Sequence, residues 1–284
     1  MMSPLVSPQW LSEHLSDPKL VILDSSITFQ IPSETEKDTV HNIPGARRFD
    51  YDKVFCDLNS HLPHMMPSET RFNQCARQIG LNQDSLIVIY DNSGTLASPR
   101  AWWMLKAMGH EQVYILNGGL PEWKRQGQPL VTSFQTPVAP GNFSGTFNDA
   151  YFVDADYVQQ QIEPQHSLTV DARSEARFSG AAAEPRAGIR SGHIPDSICL
   201  PFTQLIDGHK LKSPEALRDV LQDRLPHDTE EYIFSCGSGV TACIVLLAAY
   251  ICGYQNLKVY DGSWTEWGAS QRPIATDAAT IRSL

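Results

Sequence analysis

The sequence predicts an α/β protein built of two tandem domains, each with a mostly parallel central sheet flanked by helices. Three observations support this prediction. The chain of 284 residues is long enough for two domains of moderate size. Short apolar strand segments alternate with helical segments in both halves, as in parallel α/β domains. The second half also repeats the first at an offset of 144 to 151 residues, which indicates a duplicated domain.

Four pairs of segments define the repeat. Each half has two buried strands, an Ile-Pro dipeptide between them, and a closing motif that begins with Gly and ends with Trp. A loop containing Gly and Ser and then a helix follow the second strand of each half. In the first and second half the segments are, respectively, Val21–Asp24 and Leu168–Asp171, Ile43–Ala46 and His193–Asp196, Leu86–Tyr90 and Tyr232–Ser235, and Gly118–Trp123 and Gly262–Trp267.

A connector separates the two halves. Residues 127–149 are rich in Gly, Pro, Ser and Thr and have little periodicity, which is typical of a linker. We therefore predict an N-terminal domain over 1–135, a linker over 136–150 and a C-terminal domain over 151–284.

The composition narrows the range of partners. A formal net charge of −10 disfavours non-specific binding to nucleic acid or to an anionic membrane surface. No apolar run reaches 18 residues, and the longest, 242–252, covers about half a bilayer. The N-terminal residues lack the basic and apolar regions of a secretory signal, so we expect a cytoplasmic protein.

One of the six cysteines lies in an unusual setting. None belongs to a C-x-x-C pair, and no His/Cys cluster has metal-ligand spacing, so we expect no metal and no organic cofactor. Most of the cysteines are expected to pack as small apolar residues. Cys236, however, follows the predicted strand 231–235 and precedes the helical run 240–252, and sites form at this edge of parallel sheets.

The loop after Cys236 predicts an activated thiol. Gly237 and Gly239 on either side of Ser238 let the backbone curl, and successive N–H groups in such a curl form an anion-binding nest. The helix that follows directs its positive end at the sulfur, which favours the thiolate. The first half carries Asp91 at the matching position, so that loop has no thiol to activate.

The same loop type also suggests a cysteine phosphatase or an arsenate reductase. Those enzymes close the loop with an arginine six residues after the cysteine. Here that residue is Ala242, and the loop is one residue too short to surround a phosphate. A single transferred sulfur fits it better.

These residues resemble the rhodanese superfamily, in particular its tandem-domain 3-mercaptopyruvate sulfurtransferases. The resemblance covers almost the whole chain and implies an inactive N-terminal and a catalytic C-terminal rhodanese-like domain. The stretches that carry it are Cys236–Thr241, Leu62–Pro67, Ser98–Trp103, Glu184–Arg186, Gly192–Pro195 and Tyr260–Trp264.

The resemblance also implies a set of site residues. Arg177 and Arg186 would bind the carboxylate and carbonyl of the donor, with the flanking Arg173 and Arg190 as weaker candidates. The backbone of Gly237, Gly239, Val240 and Thr241 would surround the transferred sulfur. Catalysis would use a relay in which an acidic residue orients a histidine and the histidine polarises a serine. The catalytic residues on this basis are Cys236, Ser238, His64 and Asp52, with Asp50 and Asp57 close to the last.

The uncharged loop indicates the donor. Thiosulfate sulfurtransferases of the superfamily carry basic residues after the cysteine, where this chain has Gly237 and Ser238. We therefore predict 3-mercaptopyruvate, a small anionic thiol, as donor, and a thiol such as thioredoxin or a small thiol, or cyanide, as acceptor. Thiosulfate sulfurtransferase is the alternative. A non-catalytic rhodanese-like binding module is a remote alternative. Such a module would lack the nucleophile in both repeats, whereas this chain retains Cys236.

Overall fold

The structure is a computed structural model that describes residues 3–31, 34, 37–162 and 166–276. The chain forms two compact units. The first contains the described residues up to Asn59, Met66–Asn148 and Asp207–Leu211, and the second contains Ser60–Met65, Asp149–Ile206 and the described residues from Lys212 onward. Each unit therefore includes a short segment from the other half of the sequence.

The first unit is built on a five-stranded parallel sheet with the order β1-β5-β4-β2-β3. Its central strand β4 is buried at four of five positions. Such continuous apolar strands are typical of parallel sheets with both faces covered. The strands are β1 (Leu5–Val6), β2 (Leu20–Asp24), β3 (Arg47–Arg48), β4 (Leu86–Tyr90) and β5 (Val113–Leu116).

The second unit repeats this sheet with the order β6-β12-β11-β7-β8, again parallel throughout. The duplication extends to an isolated antiparallel bridge in each half, Asn42 with Val131 and His193 with Ala275. The expected α/β class and the repeated parallel sheets are thus confirmed. The strands are β6 (Phe152–Val153), β7 (Ser167–Asp171), β8 (Ile198–Cys199), β11 (Glu231–Ser235) and β12 (Leu257–Tyr260), and β9 (Ile206–Asp207) and β10 (Lys210–Leu211) form a separate ribbon.

Helices cover both sheets. The described residues contain no helix that is long and apolar enough to cross a membrane. The helices are α1 (Pro8–His14), α2 (Glu69–Gln78), α3 (Ser98–Ala107), α4 (Gly119–Arg125), α5 (Ala155–Gln160), α6 (Glu175–Phe178), α7 (Pro214–Gln222), α8 (Ala242–Ile251) and α9 (Ser263–Trp267), with 3-10 turns at Asp149–Tyr151 and Phe202–Leu205.

The helices divide into two groups by how they begin. A Ser or Asp side chain caps the N-terminus of α1, α2, α5, α6 and α7. Helices α3, α4, α8 and α9 begin without a side-chain cap at the preceding residue, and of these α3 and α8 follow the central strands β4 and β11. The first N–H groups of a helix have no partner inside the helix. At α3 and α8 these ends directly follow the loops that carry Asp91 and Cys236.

Candidate active site

Cys236 is held rigidly at the carboxyl end of the central strand β11. The residue is 2% exposed. Its N–H donates to Ser263 Oγ at 3.2 Å, and its carbonyl oxygen accepts the N–H of Trp264 at 2.9 Å. The first turn of α9 therefore fixes the cysteine backbone from both sides.

Ser263 is a site residue that the sequence reasoning did not identify, although it lies in the closing motif of the repeat. It is fully buried and has φ of 49°, in the left-handed region. The first half has Gly119 at this position, with φ of 53°, and a Cβ there would lie 2.3 Å from the carbonyl oxygen of Asp91. In the second half the hydroxyl of Ser263 accepts from Cys236 and donates to the Tyr260 carbonyl at 2.9 Å.

The two loop glycines, Gly237 and Gly239, differ in backbone conformation. Gly239 has φ of 77°, so it uses the left-handed region that the curled loop was expected to need. Gly237 does not lie in that region. A Cβ on Gly237 would lie 3.4 Å from Arg177 Nη2, at van der Waals distance, so the guanidinium lies directly against this residue.

The matching loop of the first unit shows what this backbone can bind. Asp91, which is fully buried, occupies the place of Cys236. Its Oδ1 accepts the N–H groups of Ser93 and Gly94 at 3.2 and 2.9 Å. Its Oδ2 accepts those of Leu96, Ala97 and Ser98 at 3.1, 2.9 and 2.8 Å. Five N–H groups of this loop thus converge on one anion.

Arg177 lies over the cysteine loop and is held there by a buried carboxylate. Its Nε and Nη2 donate to Glu184 at 3.1 and 2.5 Å, and the side chain of Glu184 is 4% exposed. The side chain of Arg177 is 18% exposed. Among the described residues, no hydrogen-bond partner is found for its Nη1, so one edge of the guanidinium remains for a ligand.

Arg173 also binds Glu184, the carboxylate that holds Arg177. It is buried, forms two ion pairs at 2.7 Å, one with Asp171 and one with Glu184, and lies 4.2 Å from the centre of the Trp264 ring. Burial alone would lower the pKa of Arg173, but Asp171 and Glu184 outweigh it and raise that pKa above its ordinary value. Arg173 is therefore a fixed structural cation.

Arg186 is linked to the cysteine loop through the hydroxyl group of Thr265. Its Nη1 donates to Thr265 Oγ1 at 2.6 Å, and that hydroxyl donates to the carbonyl of Gly237 at 2.6 Å. Arg186 is exposed. Arg190, in contrast, donates to backbone carbonyls at the end of α9 and beyond it, including Gly268 at 3.1 Å and Ser270 at 2.5 Å.

The remaining predicted residues lie in different compact units, His64 and Ser238 in the second and Asp52 in the first. His64 belongs to the same compact unit as Cys236, although it comes from the first half of the sequence. It is 3% exposed and has φ of 61°, an uncommon conformation for a residue other than glycine. Ser238, beside Cys236, is 7% exposed. Asp52 belongs to the first unit, where its N–H donates to Asp50 Oδ1 at 3.0 Å.

Four of the other cysteines have thiols that burial makes less acidic. Burial raises the pKa of Cys199 to about 12, and the charges of Asp171 and Glu175 add to the effect. Burial likewise raises the pKa of Cys56, Cys75 and Cys252. Because the thiolate is the reactive form, these four are poor nucleophiles at neutral pH.

These features define a class of protein with two copies of a parallel α/β domain, in which the loop after one central strand carries a cysteine. The rhodanese-like domain family matches the chain twice, over residues 7–126 and 154–270. The chain therefore belongs to the rhodanese-like family and contains two tandem copies of its domain, as the motifs predicted.

Individual relatives match along nearly the whole chain. The human 3-mercaptopyruvate sulfurtransferase is 38% identical over 281 residues, covering 95% of this chain and 93% of the relative. A rat thiosulfate sulfurtransferase is 37% identical, covering 93% and 91%. The solved structure of SseA from Escherichia coli, described as a 3-mercaptopyruvate sulfotransferase, has a TM-score of 0.81 at 35% identity and covers 93% of this chain and 99% of that one.

Proposed function

We propose that the protein transfers the sulfur of 3-mercaptopyruvate to a thiol acceptor through a persulfide on Cys236 and releases pyruvate. The observation that carries this proposal is the convergence of two arginines on Gly237, directly after the cysteine. Arg177 lies against the position of its missing side chain, and Arg186 is linked to its carbonyl through Thr265.

The arginines match the donor's carboxylate and carbonyl. Guanidinium N–H groups bind the two oxygens of a carboxylate in parallel, and charge-assisted bonds of this kind are the stronger ones. The groups that would bind these oxygens are Nη1 of Arg177, which has no hydrogen-bond partner in the described part of the chain, and the exposed guanidinium of Arg186. A donor held there would present its sulfur to the loop.

The chemistry begins with attack of the Cys236 thiolate on the donor sulfur. An S–S bond forms and the C–S bond breaks, so that its electron pair passes to carbon as the enolate of pyruvate. Protonation of that carbon gives pyruvate. The acceptor's thiolate then attacks the outer sulfur and regenerates the Cys236 thiolate.

The loop backbone would stabilise the persulfide anion. The Asp91 loop supports this role, because the N–H groups of its residues 93, 94, 96, 97 and 98 donate to an anion, and the Cys236 loop follows the matching central strand of the second repeat. Preorganised donors of this kind stabilise charge at no cost in reorganisation.

A relay of Ser238, His64 and Asp52 would manage the proton. His64 supports this assignment because it is buried in the unit that holds Cys236 and has a backbone conformation that costs energy, a combination that is frequent at active sites. Asp52 enters the proposal through the resemblance of the motifs alone. We further propose thioredoxin, small thiols or cyanide as acceptors, and a cytoplasmic location.

Thiosulfate sulfurtransferase is the second candidate, because the rat enzyme of that name is nearly as similar to this chain. Thiosulfate is a compact dianion that would be favoured by positive charge beside the nucleophile. Gly237 and Ser238 provide none.

Steady-state kinetics with both donors and a reducing thiol test the proposal. We expect a higher kcat/KM with 3-mercaptopyruvate than with thiosulfate. Arg177→Ala and Arg186→Ala should each lower kcat/KM for 3-mercaptopyruvate by about 30- to 150-fold, since each removes a charge-assisted contact of about 2 to 3 kcal/mol.

Arg218→Ala is the matched control, because Arg218 is an exposed arginine on α7. It should leave kcat and KM unchanged. Preference for thiosulfate would overturn the choice of donor. Wild-type kcat and KM in both Arg177→Ala and Arg186→Ala would contradict the carboxylate-binding role.

A further inference from the structure

Glu184 is a buried charge that the proposed chemistry does not use. Its side chain is 4% exposed, and all of its bonds in the described structure go to two arginines. Oε1 accepts from Arg173 at 2.7 Å and from Arg177 at 3.1 Å, and Oε2 accepts from Arg177 at 2.5 Å. A buried carboxylate is costly unless it is paired in this way, so its place beside the cysteine loop needs a reason.

The charges in this cluster balance almost completely. Asp171, Arg173, Glu184 and Arg177 form one continuous ion-paired chain of two anions and two cations. Arg186 bonds to the hydroxyl of Thr265 and, within the described part of the chain, forms no ion pair. The cluster therefore presents two guanidinium groups to a ligand but only one net positive charge.

That balance matches one class of anion. A monocarboxylate brings one negative charge to the cluster and neutralises it. A dianion such as thiosulfate would bring a second negative charge close to Glu184. Near a protein surface the interaction of two unit charges over a few Å is large enough to separate the two classes.

We propose that Glu184 is a positioning residue that also determines donor specificity: it holds Arg177 over Gly237 and cancels its charge, so that the site prefers monoanionic donors to dianionic ones. This inference rests on the proposed sulfur transfer from 3-mercaptopyruvate. It assigns the discrimination to a carboxylate outside the cysteine loop, in addition to the uncharged loop itself.

Glu184→Gln tests the proposal, because it retains a hydrogen-bond acceptor and removes the charge. The added net positive charge acts twice as strongly on a dianion as on a monoanion. We expect the ratio of kcat/KM for thiosulfate to kcat/KM for 3-mercaptopyruvate to rise about tenfold.

Two further variants separate charge from position. Glu184→Asp keeps the charge and shortens the side chain, so it should lower kcat/KM for both donors and leave their ratio within about twofold of wild type. Ala187→Lys adds a cation at an exposed position next to Arg186 and touches none of the buried ion pairs. It should raise the ratio about two- to threefold, because its charge is more screened by solvent.

The outcomes are distinct. If the wild-type protein does not use 3-mercaptopyruvate, the proposed function fails, whatever the variants do. If the wild type uses it but Glu184→Gln, folded as judged by circular dichroism, loses activity with both donors by the same factor, the specificity role of Glu184 is wrong. If Glu184→Gln does not fold, Ala187→Lys decides, and an unchanged ratio overturns the charge-balance proposal.

Discussion

Cys236→Ser should abolish turnover with 3-mercaptopyruvate and with thiosulfate, lowering kcat by at least about 10⁴-fold, as for the loss of other enzyme nucleophiles. A serine hydroxyl is not ionised at neutral pH and cannot form a persulfide. The substitution is nearly isosteric, and the bonds that hold residue 236 are made by its backbone, so the fold should be retained. The measurement is steady-state release of pyruvate, with circular dichroism as a check on folding.

Cys252→Ser is the matched control. Cys252 directly follows α8, is half-buried, and has a pKa that burial raises. It should keep wild-type kcat and KM. Residual turnover of Cys236→Ser above one per cent of wild type would require another nucleophile.

Asp91→Ala should destabilise the protein by about 3 to 5 kcal/mol, because it leaves five buried backbone N–H groups without their acceptor and removes a charge from a site built to hold one. For a domain of this size the unfolding temperature should fall by about 10 °C. Asp91 thus stands where the second repeat has its cysteine, and its carboxylate is the anion that its own loop binds. It also holds the start of α3, which has no side-chain cap.

Asp84→Ala provides the comparison, because Asp84 is an exposed aspartate whose ion pair with Lys19 lies on the surface. It should change the unfolding temperature little. Equal unfolding temperatures for Asp91→Ala and the wild-type protein, by thermal unfolding followed by circular dichroism, would show that the loop does not depend on the carboxylate.

The fold could be predicted from the sequence because its strongest signals are long. The central strand β4 is a five-residue apolar run and β11 has the apolar centre Tyr232–Phe234, both are followed by Gly-containing loops, and the duplication provides each signal twice. The outer strands β1, β3, β6 and β8 have only two residues each, too few for periodicity to indicate them.

From the residues alone, the sequence points to Cys236 as the candidate nucleophile, because its loop and the following helix are contiguous in sequence. Arg177, Arg186 and His64 lie far from that loop in sequence and are expected at the site only through the resemblance. Glu184 and Ser263 could not be identified, because their roles depend on bonds to residues 7 to 27 positions away, which only the folded chain brings together. Gly237 was expected to serve the curl of the loop, but its φ lies outside the left-handed region, and it lies against Arg177.

The persulfide on Cys236 is the central claim, and mass spectrometry of the intact protein tests it most directly. The protein is treated with one equivalent of 3-mercaptopyruvate without an acceptor, and pyruvate is measured in parallel. The account predicts the mass of one added sulfur, mapped to Cys236 by peptide analysis, with one equivalent of pyruvate, and neither in Cys236→Ser. Pyruvate release without added sulfur, or sulfur on a different cysteine, would contradict it.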